Sequence, residues 1–157
     1  MKHGRTTCWR EEFDKTPCEY ACIHVYEEGP NFCGIAGYAG LDDQPLLKRM
    51  IEALQHRGPD DIGFYIDKGI GLANARLSII DIEGGHQPID NENGTIHVTY
   101  NGEIYNFREL RKKLESLGHR FYTQSDTEVI VHSYEQFGDS FVAELNGMFA
   151  IALWDSE

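Results

Sequence analysis

Cys33 opens the run Cys33-Gly34-Ile35-Ala36-Gly37, and it is the leading candidate for covalent chemistry. A thiolate is a strong nucleophile, and the small residues that follow leave it uncrowded at the start of an apolar run. The plain alternative is a buried cysteine that packs as a small hydrophobe. Other polar residues have plain readings when taken alone. Asn101-Gly102 has the composition of a two-residue hairpin turn. Arg76 reads as a strand-end surface charge, Glu103 as a solvated loop residue and Asp126 as a helix-cap residue. Arg57 stands near Asp60 and Asp61, where a loop ion pair is worth about 0.5 kcal/mol. His56, His86 and His97 do not have metal-ligand spacing. Cys8, Cys18, Cys22 and His24 follow the pattern Cys-x9-Cys-x3-Cys-x-His, which is not a standard zinc spacing, and no metal is expected.

The elements that must hold these residues follow one another closely from Cys33 onward. Residues 34–38 read as a short buried strand. Residues 45–54 carry Leu46, Leu47, Met50, Ile51 and Leu54 on a helical stripe, and His56-Arg57-Gly58-Pro59-Asp60-Asp61 ends that helix in a loop. Strand-like pieces follow at 63–66, 69–75 and 77–82, stopped by Gly84-Gly85. Ile96, Val98 and Tyr100 alternate with polar residues, the pattern of a half-buried strand. Asn106 is placed to cap a helix carrying Leu110, Leu114 and Leu117, with Gly118 as its stop. Ser125 and Glu128 have capping-box spacing for a second helix that ends at Gly138. A short helical piece at 139–145 leads into an apolar strand at 148–155. Strands, then helices, then a strand predict a layered α+β domain.

Length and charge narrow the function classes. The 157 residues suit one domain with its own core, and a boundary is expected at Gly29-Pro30-Asn31. Residues 1–32 read as an extension, and residues 33–157 as the folded domain. With 14 Lys+Arg against 26 Asp+Glu the net charge is −12, which argues against nucleic acid and anionic membranes as partners. No apolar stretch has the length of a membrane span or a signal-peptide core, so a cytoplasmic protein is expected. The four cysteines all lie at or before position 33, a distribution that predicts reduced thiols rather than a disulfide framework.

Six blocks in order carry a resemblance: Cys33-Gly34-Ile35-Ala36-Gly37, His56-Arg57-Gly58-Pro59-Asp60-Asp61, Arg76-Leu77-Ser78-Ile79-Ile80-Asp81, Gln87-Pro88, Tyr100-Asn101-Gly102-Glu103-Ile104-Tyr105-Asn106 and Ser125-Asp126-Thr127-Glu128-Val129-Ile130. Together they resemble the glutaminase domain of class II glutamine amidotransferases, most closely the glutamine-hydrolysing asparagine synthetase family. The likeness runs over residues 33–157. It implies an N-terminal-nucleophile hydrolase fold, a four-layer αββα sandwich. It also implies release of ammonia from glutamine with no metal or organic cofactor.

By that resemblance Cys33 is the nucleophile, and its own α-amine is the base, an amine whose ordinary pKa of roughly 8 suits the task. Asn101 and Gly102 match the oxyanion hole, through a side-chain amide and a backbone N–H. Arg76 matches the partner of the substrate α-carboxylate, and Glu103 and Asp126 match the acidic groups at its α-ammonium. Arg57 matches a loop residue beside the pocket. Two departures stand out. Phe32 precedes Cys33, so the amine is free only after cleavage there, a maturation that some class II relatives undergo. The chain also stops just behind an apolar strand, so a truncated domain is expected, without the ATP- and Mg-dependent synthetase domain that the family places downstream. That domain or a separate subunit is the implied partner, and a homodimer is left open. Two other readings stay beside this one: a catalytically silent glutamine-binding or regulatory module, and an amidotransferase subunit serving another acceptor.

Overall fold

The computed structural model describes residues 33–77 and 85–157. The expected extension at 1–32 and most of the strand expected at 77–82 lie outside the described residues. Two three-stranded antiparallel sheets form the centre. In the first, β1 (Gly34–Ala39) and β2 (Asp61–Asp67) flank β3 (Ile70–Arg76), with Gly34 opposite Ala75 and Asp61 opposite Arg76. In the second, β4 (Ile89–Asp90) and β6 (Gly147–Asp155) flank β5 (Ile96–Ile104), with Asn101 opposite Ala150 and Gly102 opposite Phe149.

Helix α1 (Gln44–Ala53) packs on β1 and β3, while α2 (Phe107–Ser116) and α3 (Asp126–Phe137) cover the second sheet. The sheets meet through β3 and β5. The order is therefore helix, sheet, sheet, helices, the four layers that the resemblance implies. Each helix layer has its own apolar core. Leu47, Met50 and Ile51 of α1 bury Ala36, Tyr38, Ala73 and Ala75. Val129, Ile130, Leu110 and Leu114 pack with Ile96, Val98, Tyr100 and Ile104 on the far side. Complete burial of a leucine or isoleucine is worth about 1.5–3 kcal/mol, so these two seams hold the outer layers on.

Local patterning explains most element ends, with instructive differences. Helix α1 begins beneath Asp43, whose carboxylate accepts from Leu46 N at 2.8 Å. Asn106 stands at the N-cap position of α2 but its side chain does not cap. It accepts from Asn146 N at 2.9 Å and donates to Glu144 O at 2.9 Å, tying the helix start to the turn before β6. Ser125 does cap α3, accepting from Thr127 N at 3.1 Å. The capping box is not formed, because Glu128 turns to Tyr122 N, Thr123 N and the Thr123 hydroxyl instead. The piece expected at 139–145 is a 3₁₀ helix over Gly138–Glu144.

β5 also departs from its sequence pattern. His97 and Thr99 are as buried as Ile96, Val98 and Tyr100. A central strand between a helix layer and a second sheet has no solvent face, so alternation in its sequence does not become alternation in burial. Among the described residues no helix is long and apolar enough to cross a membrane.

Candidate active site

The site begins where β1 and β3 meet. Cys33 lies one residue before β1, and the antiparallel register sets it against the far end of β3. There its Sγ accepts from Leu77 N at 3.3 Å and lies 3.7 Å from Leu77 O. Arg76 precedes Leu77 and is 6% exposed, so it is not the surface charge that its strand-end position suggests. The loop after α1 presses on this same end. A Cβ at Gly58 would run into the Ala75 carbonyl, and Asp60 N donates to Arg76 O at 3.1 Å. Only glycine permits that approach. Arg57, 7% exposed, is thereby packed at the base of the loop.

The second sheet supplies the opposite wall through Tyr100, Asn101, Gly102 and Glu103 on β5. Asn101-Gly102 is not a hairpin turn: both residues lie inside the strand, paired with β6. Gly102 has φ +155°, and a Cβ there would meet Met148 O and the Phe149 backbone. Its backbone geometry therefore excludes any side chain. Tyr100 faces the helix layer and its hydroxyl donates to Asp126 Oδ2 at 2.9 Å. Side chains alternate along a strand, so Asn101, half-buried, projects to the opposite face from Tyr100, the face that meets the first sheet.

Asp126 is the first residue of α3, 6% exposed, and also accepts from Ile104 N at 3.2 Å through the same oxygen. Ser125 takes the cap position, which releases Asp126 from that role. The two donors and the helix N-terminus fix its carboxylate within electrostatic reach of Cys33.

Charge couples the two walls. Burial pushes the Cys33 thiol above its ordinary value of 9.0; the Leu77 hydrogen bond and the Arg76 guanidinium oppose this, and Asp126 adds to it. Burial, Asp126, Glu103 and Cys33 all push the Tyr100 phenol upward, so it stays a donor. Cys33, Arg76, Tyr100, Glu103 and Asp126 thus share one electrostatic environment. Glu103 itself is exposed.

Two residues to which the sequence assigned no role brace the site. Asn74, fully buried in β3, donates to Tyr100 O at 3.3 Å and so links the sheets. Gln87 Oε1 accepts from Tyr100 N at 2.7 Å and from Asn74 Nδ2 at 3.3 Å, while its Nε2 donates to Thr127 Oγ1 at 3.3 Å. It precedes the start of β4, where β5 has no strand neighbour on that side, and its amide serves as one. The signal for Asn74 was an amide in an otherwise apolar strand.

Known proteins fall in line with this architecture. Residues 32–157 match the glutamine amidotransferase domain family. The chain is 48% identical over 130 residues to asparagine synthetase [glutamine-hydrolyzing] 2 of Bacillus subtilis, covering 78% of this chain and 17% of that protein. It is 46% identical over 129 residues to asparagine synthetase [glutamine-hydrolyzing] 2 of Oryza sativa subsp. japonica, covering 79% and 22%. The chain thus spans about a fifth of the length of these curated relatives. Among solved structures, the glutamine phosphoribosylpyrophosphate amidotransferase of B. subtilis superposes with a TM-score of 0.63 at 21% identity, over 80% of this chain and 35% of that one. At that identity the likeness speaks to the fold.

Proposed function

Because the chain belongs to the glutamine amidotransferase domain family, we propose that it is the glutaminase part of a glutamine-hydrolysing asparagine synthetase, with Cys33 as its nucleophile. The observation that carries the assignment of roles is that Cys33 before β1, Arg76 of β3 and Asp126 of α3 come within electrostatic reach of one another.

In this reading glutamine enters with its α-carboxylate toward Arg76 and its α-ammonium toward Asp126 and Glu103. A planar guanidinium suits the first and a fixed carboxylate the second. Arg57 holds the loop that closes on Arg76. Partial burial holds the thiol above its ordinary pKa, so attack needs a base, and the α-amine of Cys33 takes its proton once the Phe32–Cys33 peptide bond is cleaved. Sulfur then bonds to the side-chain amide carbon. The developing oxyanion is received by the Asn101 amide and Gly102 N–H, donors typically worth about 3 kcal/mol each. Collapse breaks the C–N bond, the ammonium returns its proton to the leaving group, and ammonia departs. Water hydrolyses the thioester to glutamate.

No cofactor enters this half-reaction. The ammonia acceptor is proposed to be aspartate activated by an ATP- and Mg-dependent synthetase domain or subunit, the partner that the relatives' names suggest. One observation favours a second reading. Cys33 is joined to Phe32 in the sequence as it stands, and a peptide nitrogen is no base, so the uncleaved chain would be a silent glutamine-binding module. Glutamate and ammonia release by a chain starting at Cys33, compared with its Cys33→Ala variant, tests the main reading. Activity is expected only in the former, and equal activity in both would remove Cys33 from the mechanism.

A further inference from the structure

On the outer side of the second sheet, away from the cleft, three residues bring potential metal-ligating atoms to within 4.8 Å of one another: His119, His132 and Glu135. We propose that they form a divalent-cation site of the zinc class. His132 and Glu135 lie one helical turn apart on α3, and His119 arrives from the segment that follows α2. A tetrahedral ion with bonds of about 2.0–2.1 Å needs ligand atoms about 3.4 Å apart. His119 Nδ1 and Glu135 Oε2 are 3.4 Å apart. His132 Nδ1 and Glu135 Oε2 are 2.8 Å apart, a hydrogen bond that opens slightly as the ion replaces the Nδ1 proton. Glu92 Oε2, 3.8 Å from His132 Nδ1, stands at the open side as the fourth donor.

The outer atoms of this cluster are also held. His119 Nε2 donates to Gln136 Oε1 at 3.2 Å, which turns the Nδ1 lone pair inward. Glu135 Oε1 accepts from Asn91 Nδ2 at 2.9 Å, and Glu92 Oε1 from Arg120 N at 3.1 Å. His132 is fully buried, and its Nε2 has no hydrogen-bond partner while facing Glu128 Oε1 at 3.6 Å. Binding a metal through Nδ1 places the imidazole proton on Nε2, toward that carboxylate, the usual second carboxylate behind a metal-bound histidine. Charge supports the assignment as well. Three carboxylates surround two imidazoles, so with neutral histidines the cluster carries −3 and a dication brings it to −1. Phe121 packs its ring edge-on to His132, with centroids 4.4 Å apart. Solvent reaches the cluster past Glu92, whose side chain is 39% exposed.

The test uses the full chain, with Zn²⁺ as the ligand and four thiols as the competing binders. After dialysis with Zn²⁺ and removal of excess, metal content and the melting temperature are measured for the wild type and for a variant with all four cysteines changed to serine. Both are expected to retain one ion per chain and to melt higher than the metal-free protein. His119→Ala, at a partly exposed position, is expected to weaken binding by about tenfold or more. His119→Ala combined with Glu135→Gln is expected to abolish both retention and the melting shift, with circular dichroism confirming that the variant is folded. The proposal is overturned if the folded wild type retains no Zn²⁺, if retention disappears with the cysteines, or if the double variant binds as tightly as the wild type. In the first case the cluster is a proton-bridged network.

Discussion

Cys33 is held in a state that makes the rest of the cleft necessary. Burial raises its pKa above 9.0, and Arg76 works against that shift. Arg76→Ala is therefore predicted to raise the thiol pKa further and to slow alkylation of Cys33 by iodoacetamide at pH 8, with labelling followed by peptide mass. In the parent chain the rate should keep climbing from pH 8 to 9, as expected for a thiol whose pKa is raised above its ordinary value. A rate that is flat with pH would place the pKa low and contradict the burial argument. At Gly102 the constraint is steric. Gly102→Ala must displace the backbone at Met148 and Phe149 or leave a φ of +155°, and is predicted to cost about 2 kcal/mol or more in urea unfolding. An unchanged midpoint would show that β6 yields easily there.

At the level of elements, Gln87 does the work of a missing strand. Its Oε1 satisfies Tyr100 N just before β4 begins, and its Nε2 reaches α3. Gln87→Ala leaves a buried N–H without its acceptor, and is predicted to lower stability by about 2 kcal/mol. It should also raise KM for glutamine more than it lowers kcat, because Tyr100 and, through it, Asp126 lose their fixed positions. Loss of kcat alone would contradict this bracing role. Such a role was not legible in the sequence. Gln87-Pro88 stood out as a block, but an amide that substitutes for a strand is seen only once the sheets are built. Helices α1 and α2, by contrast, were legible from Leu46 to Leu54 and from Leu110 and Leu114, because one apolar stripe meets one sheet, although Leu117, expected on the same face, stands exposed at the C-cap of α2. The burial of β5 was not, because its polar face meets a second sheet rather than water. Helix α3 is buried over all of residues 126–133, polar Thr127, Glu128 and His132 included, which its cap and stop signals do not announce. Its capping box failed for a similar reason, since Glu128 is drawn inward to Thr123 and His132.

For the whole molecule, the layered arrangement explains how residues far apart in the chain form one site. Cys33, Arg76, Asn101 and Asp126 each stand at or near the end of an element or in the central strand, and the meeting of the sheets at β3 and β5 brings those elements together. The sequence blocks marked these residues through family likeness; the physical reason for their spacing appears only with the antiparallel register of β1 on β3 and the packing of α3 on β5. The His119, His132 and Glu135 cluster left no motif at all, because its members come from a loop and one face of a helix.

The central claim is that a free α-amine on Cys33 drives glutamine hydrolysis at this cleft. Ammonia release should be measured side by side for two preparations whose N-termini are verified by intact mass, one beginning at Cys33 and one retaining residues 1–32. The account predicts release from the first and none from the second until the Phe32–Cys33 bond is cut. Hydrolysis at equal rates with residues 1–32 still attached, or a silent chain beginning at Cys33, would contradict it.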